Sequence, residues 1–237
     1  MVTYVIGDIH GNYIGLVDVL KKCNFNKKKD TLISLGDVCD GGCKARQCID
    51  ILLGIEHLIN ILGNHDTWAL HWMKTGEELP VWWHQGGMRT AESYDFKIKN
   101  VPESHIKFLS DMIPYYIDEK NRIFVHGGFM PFKPVVEQSA EILTWDRDLM
   151  CSYAPQMEIP GYKHVFVGHT TTQHFGKDYK IPDCMVPLTF HNLTAMDTGG
   201  GWNGRLSIMD VDTFKYYQSD KNANLQNTMK RMDGLKF

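Results

Sequence analysis

Acidic and imidazole side chains recur in this chain directly after short apolar runs. Tyr4-Val5-Ile6 leads into Gly7-Asp8-Ile9-His10, and residues 31–35 lead into Gly36-Asp37. Residues 58–62 lead into Gly63-Asn64-His65-Asp66, residues 122–125 into His126-Gly127-Gly128, and residues 164–167 into Gly168-His169-Thr170. A lone Asp or His after a strand is more often a cap or a satisfied polar group. Five such runs, each with a glycine that lets the backbone turn beside the polar residue, form a pattern. Asp8, His10, Asp37, Asn64, His126 and His169 together offer hard oxygens and imidazole nitrogens without a thiolate. That donor set suits manganese, iron, zinc or nickel rather than a cysteine-type structural zinc site. Six side chains are too many for one ion with open positions, and about right for two ions sharing a bridging carboxylate. Two ions roughly 3.5–4 Å apart can clamp the attacking and substrate oxygens of an in-line phosphoryl transfer.

These residues must be positioned by the elements that precede them. The apolar runs have strand length, and helical patterns follow the first three: 13–23 behind Asn12 as N-cap, 43–53, and 66–73. Strand–helix alternation predicts a largely parallel start with right-handed crossovers. Beyond residue 113 the runs pair as hairpins, 115–118 with 122–126 and 206–211 with 214–218. The predicted class is α/β with mixed α+β character: two packed mixed β-sheets flanked by helices, with the site at the carboxyl ends of the strands. Residues 65–95 are expected to form a helical insertion over one end of the body.

Composition excludes several alternatives. The 237 residues are 43% hydrophobic, 22% charged and 11% aromatic, enough for a sizeable core and unlike a disordered chain. Lys+Arg number 25 against 28 Asp+Glu, for a net charge of −3, so nucleic-acid binding through a broad basic field is not expected. No apolar run approaches the roughly 18 residues that span a bilayer, and no secretory signal pattern opens the chain. The expected compartment is the cytoplasm. The six Cys include no C-x-x-C and read as free thiols. Residues 1–218 read as one domain, and 219–237 as a polar tail or surface helix.

Taken together, Gly7-Asp8-Ile9-His10-Gly11-Asn12, Gly36-Asp37-Val38-Cys39-Asp40-Gly41-Gly42, Gly63-Asn64-His65-Asp66, His126-Gly127-Gly128 and Gly168-His169-Thr170 resemble the calcineurin-like metallophosphoesterases. Within that superfamily the chain looks like the bacterial and phage branch of the phosphoprotein phosphatase (PPP) family. The segments 86–94, 143–148 and 196–200 resemble that branch too. The resemblance implies the superfamily's dinuclear β-sandwich. It makes Asp8 and His10 ligands of a first metal, Asp37 the bridge, and Asn64, His126 and His169 ligands of a second. It places His65 as general acid, Asp40 as its orienting partner, and Arg147 on the phosphate oxygens. The implied cofactor is two divalent ions, manganese first, with iron, zinc or nickel as alternatives. The implied activity is that of a phosphoprotein phosphatase, in which a metal-bridging hydroxide attacks phosphorus in line. The partner is then a phosphorylated protein or small phosphoester, with no nucleic acid and no membrane.

Departures from the family pattern keep other activities open. Many PPP enzymes read Asp-Arg-Gly where this chain reads Asp40-Gly41-Gly42, and Leu62 replaces an arginine that often precedes Gly-Asn-His. Asp66 stands where many eukaryotic members have Glu. Lys44, Arg46 and Arg89 fit surface solvation better than replacement of the missing arginine. A dinucleoside polyphosphate hydrolase or a cyclic-nucleotide phosphodiesterase on the same fold is the alternative, and a non-catalytic binding module a second.

Other polar and aromatic residues read as structural. Trp68, Trp72, Trp82 and Trp83 fit packing of a helical face. His57, His71, His84, His105, His164, His174 and His191 carry no ligand signature and read as surface or capping histidines. Asp197, after an apolar run, is a candidate to support the site from behind.

Overall fold

A computed structural model describes residues 1–176 and 184–221; residues 222–237, most of the expected tail, lie outside the described residues. Strand β1 (Thr3–Ile6) is followed by helix α1 (Tyr13–Lys22), β2 (Thr31–Ser34), α2 (Ala45–Leu53), β3 (His57–Asn60) and α3 (Asn64–Thr75). The 65–95 region continues with α4 (Pro80–Trp82), a π turn (Trp83–Gly87) and α5 (Met88–Ser93), and α6 (Glu103–Ser110) follows. The second half holds β4 (Tyr115–Ile117), β5 (Arg122–Val125), α7 (Ala140–Trp145), β6 (His164–Val167), β7 (Leu188–Phe190), β8 (Leu193–Ala195), β9 (Ser207–Asp210) and β10 (Tyr216–Gln218).

The expected two mixed sheets are present, ordered β10-β9-β1-β2-β3 and β4-β5-β6-β8-β7. Strands β1, β2 and β3 are parallel, with β9 and β10 added antiparallel. In the second sheet β5, β6 and β8 are parallel, and β4 and β7 pair antiparallel at its edges. The helices α1 and α3 match the expected ones closely, whereas α2 begins at Ala45 rather than residue 43. The β7–β8 hairpin was not anticipated, because each strand is only three residues long.

Side-chain alternation sorts the core into three layers. Val5, Ile33, Phe124, Phe166 and Met209 fill the space between the sheets, where the Phe124 and Phe166 rings stack at 5.0 Å. Their chain neighbours face outward: Tyr4, Ile6 and Leu32 pack on the helices of the first half, and Ile123, Val125, Val165 and Val167 on the segments between 129 and 159. Sheets covered on both faces explain why these strands read as continuous apolar runs. Two histidines depart from the surface role expected of them. His105 is buried between Tyr94 and Asp50, and His164 lies under Phe214 with its Nε2 2.8 Å from Thr194 Oγ1. No helix among the described residues is long and apolar enough to cross a membrane.

Candidate metal centre

The loops that leave β1, β2, β3, β5 and β6 at their carboxyl ends meet in one cleft. Backbone bonds knit the first two: His10 N–H donates to Asp37 O at 2.7 Å and Gly11 N–H to Val38 O at 2.9 Å. The third is tied in through α3, where Asp66 Oδ1 accepts the N–H groups of Val38 and Cys39 at 2.9 and 3.1 Å. The sheets are joined across the cleft by His169 N–H, which donates to both oxygens of Asp8 at 3.2 and 3.0 Å. Four of the polar residues hold left-handed backbone: His10 (φ 46°), Asp37 (48°), Asp40 (71°) and His169 (61°). Such conformations cost about 1–3 kcal/mol each and persist where the surroundings over-determine them, typically at functional sites. Gly41, in place of the family's arginine, also has φ 71°, and a Cβ there would lie 3.1 Å from His10 Cβ.

The imidazoles are presented for coordination. His10 Nδ1–H donates to Cys39 O at 2.9 Å and His126 Nδ1–H to Leu35 O at 2.7 Å. A carbonyl can only accept, so both rings turn an Nε2 lone pair toward the cleft. His10 Nε2 stands 3.5 Å from Asp37 Oδ2 and 4.0 Å from Asp8 Oδ2. His126 Nε2 stands 3.3 Å from Asp37 Oδ2 and 3.0 Å from Asn64 Oδ1. Two groups could therefore hold ions, His10–Asp37–His65 and Asp37–His126–His169, and Asp37 belongs to both. Its other oxygen, Oδ1, accepts the His65 backbone N–H at 3.0 Å, at the amino end of α3.

Electrostatics point the same way. Burial drives Asp8 well above the usual carboxylate range, and the charges of Asp197 and Asp37 push it further. Asp66 and Asp197 are raised mainly by burial, to about 7 and about 6. Burial keeps His10 and His169 neutral, down to about 4 and about 2. Burial acts to raise Asp37 too, but the adjoining imidazoles of His126 and His65 outweigh it and hold Asp37 far below its ordinary value. The buried Nε2 of His169 has no hydrogen-bond partner among the described residues. Lone pairs and carboxylate oxygens facing one another at 3–4 Å are stable only around positive charge, so the donor set fits divalent cations.

His65 differs from the other imidazoles. Its Nδ1 lies 2.8 Å from Asp40 Oδ2, on a carboxylate with no exposed surface. Burial lowers its pKa, but Asp37 and the bond to Asp40 more than compensate and bring it to about 9. This balance favours the imidazolium form, in which Nε2 carries a proton in the cleft.

Of the expected residues, His10, Asp37, Asn64, His65 and His169 line the cleft of about 250 Å³, Asp8, Asp40 and His126 are buried against them, and Arg147 lines it with Nη1 3.2 Å from Thr170 Oγ1. Asp197 lines it as well, with Oδ1 accepting Gly199 N–H at 2.9 Å. Sequence reasoning missed Gln85, Trp145 and Trp202, which also line it. Trp145 and Trp202 are 41% and 49% exposed, with rings 5.7 Å from those of His169 and His10 respectively. Lys44, Arg46 and Arg89 do not line it, and Arg89 pairs with Glu92.

Comparison with known proteins gives the family and the fold. The model of the family described as calcineurin-like phosphoesterase matches residues 1–185. Serine/threonine-protein phosphatase 1 of Salmonella typhimurium is 24% identical over 219 residues, covering 88% of this chain and 91% of that protein. The symmetrical bis(5'-nucleosyl)-tetraphosphatase of Neisseria meningitidis serogroup A is 30% identical over 132 residues, covering 55% of this chain and 45% of that protein. Among solved structures, a metallophosphoesterase from Sphaerobacter thermophilus shares the fold with a TM-score of 0.59 at 18% identity, over 98% of this chain and 93% of that one.

Proposed function

We propose that this chain, which belongs to the calcineurin-like phosphoesterase family, hydrolyses phosphomonoesters in the manner of a serine/threonine protein phosphatase. The observation that carries this reading is the position of Asp37, shared between the His10–His65 side and the His126–His169 side of one cleft. Asp8, His10, Asp37, Asn64, His126 and His169 would hold two divalent ions, manganese being the first candidate and iron, zinc and nickel also suited to these donors. When bound, the ions supply the positive charge that ionises water near neutral pH and offsets charge on the phosphoryl oxygens.

The chain's own residues do the rest. The Arg147 guanidinium, a planar fork of donors, grips the non-bridging oxygens. His65 Nε2–H gives its proton to the leaving oxygen as the phosphorus–oxygen bond breaks. The oxygen of water bonds to phosphorus opposite the leaving oxygen and gives up a proton to solvent, so the products are an alcohol and inorganic phosphate, and His65 regains its proton from solvent. Asp40 keeps the imidazole in the tautomer and orientation that this transfer needs. Residues 1–218 are read as the phosphoesterase domain, and the six free cysteines suit a reducing compartment such as the cytoplasm.

A second reading, hydrolysis of a dinucleoside polyphosphate, is favoured by the half-exposed indoles of Trp145 and Trp202, whose faces could stack a base. Turnover of p-nitrophenyl phosphate, a phosphoserine peptide, diadenosine tetraphosphate and a 2′,3′-cyclic nucleotide by manganese-loaded protein separates the two. Hydrolysis of the phosphopeptide and the aryl ester supports the first reading. Activity confined to the dinucleotide or the cyclic nucleotide overturns it.

A further inference from the structure

Asp40 carries no exposed surface, yet both its oxygens are fully engaged from a part of the chain some 40 to 50 residues away. The indole Nε1–H of Trp82 bridges them, at 3.0 Å from Oδ1 and 2.9 Å from Oδ2. Thr90 Oγ1–H donates to Oδ1 at 2.7 Å, and the same hydroxyl oxygen accepts Asp40 N–H at 2.8 Å. Only then does Oδ2 meet His65 Nδ1, at 2.8 Å. Trp82 and Thr90 are themselves completely buried.

The segment between them is shaped for this contact. Gly86, at φ 103°, brings its backbone so close to Gly41 that a Cβ would lie 2.5 Å from Gly41 N. Gly87 lies flat against the Trp82 ring, where a Cβ would come within 2.2 Å. Trp72 of α3 packs on the same indole at 5.8 Å, so the helix that carries His65 also backs Trp82. A carboxylate bonded on both oxygens cannot rotate without breaking a bond to a buried donor. The imidazole bonded to it is then fixed in direction as well.

We propose that Trp82 and Thr90 are positioning residues for the proton transfer: they lock the Asp40 carboxylate, and through it aim His65 at the leaving oxygen. This rests on the phosphomonoesterase reading above. The 65–95 insertion, and Trp82 in particular, is thereby part of the acid's support rather than packing alone. The role has a chemical signature. A serine alkoxide is a poor leaving group and needs a well-aimed proton, whereas p-nitrophenolate is a stable anion near neutral pH and needs little help.

The test compares wild type, Trp82→Phe and Thr90→Val on a phosphoserine peptide and on p-nitrophenyl phosphate, with manganese content and melting temperature measured on each. Thr90→Val nearly conserves volume and keeps the inference testable if Trp82→Phe folds poorly. The expected result is a roughly 10–100-fold fall in kcat on the phosphopeptide, with KM, metal content and p-nitrophenyl phosphate turnover changed by less than about threefold. In a His65→Asn background the same substitutions should cost nothing further on the phosphopeptide, because they act through a group already removed. Parallel losses on both esters, or a full additional loss in the His65→Asn background, would overturn this inference alone. A wild type inert on both esters would overturn the proposed function along with it.

Discussion

The Nδ1–H of His126 donates to the carbonyl oxygen of Leu35 across 2.7 Å. An imidazole carried by the second sheet thus takes its tautomer from the chain just beyond a strand of the first, and its Nε2 is left facing Asp37. The cleft is a product of sheet packing, since neither sheet alone presents both halves of the donor set.

Asp37 is the residue the two halves share, so its substitution should be felt by both ions. Asp37→Asn keeps the size and removes the charge. Metal analysis after manganese loading should fall from about two equivalents per chain in wild type to one or fewer in the variant. Two tightly held equivalents in Asp37→Asn would refute the shared role.

His65→Asn removes the proton donor and leaves the bond to Asp40 within reach of an amide. Turnover of a phosphoserine peptide should drop by roughly 10²–10⁴-fold while metal content stays near that of wild type. An unchanged rate would remove His65 from the acid's role, and a loss of metal would instead make it a ligand.

Arg147 is the one guanidinium lining the cleft among the described residues. A hydrogen bond to a charged group contributes about 1.5–3 kcal/mol, so Arg147→Ala should lower kcat/KM by roughly 10–100-fold. Arg147→Lys should recover only part of this, because an ammonium cannot reproduce the two parallel bonds of the fork. Wild-type kinetics for the alanine variant would show that phosphate is held elsewhere.

Stability should depend on pH through His164. Burial, with Arg122 adding repulsion, lowers its pKa from 6.5 to about 4 in the fold. Between those values the unfolded chain binds the proton and the folded chain does not, so this contribution is complete above pH 6.5 and is lost as the pH falls toward 4. The loss is on the order of 2 kcal/mol, allowing for the ring's residual contact with solvent. In urea titrations, wild type should lose more stability than His164→Gln between pH 6.5 and 4.5. Equal losses would contradict it.

What could be read from the sequence was local. Asp8, Asp37, Asn64, His126 and His169 each follow a strand whose apolar run announces it, and a glycine beside each marks the turn. Trp82 and Thr90 have no such announcement. Their partner Asp40 lies 42 and 50 residues away, and an indole that donates to a buried carboxylate has the same local pattern as one that only packs. His105 and His164 were misread for the same reason, since Asp50 and Thr194 meet them only through the fold. The indoles of Trp145, at the end of the short helix α7, and Trp202, in a turn, reach the cleft with no periodic signal.

The most direct test is an anomalous difference map from a crystal soaked in manganese. Two peaks roughly 3.5–4 Å apart, with the Asp37 carboxylate between them and His10 and His126 on opposite sides, are expected. A single peak, or two peaks that do not share Asp37, would contradict the dinuclear account.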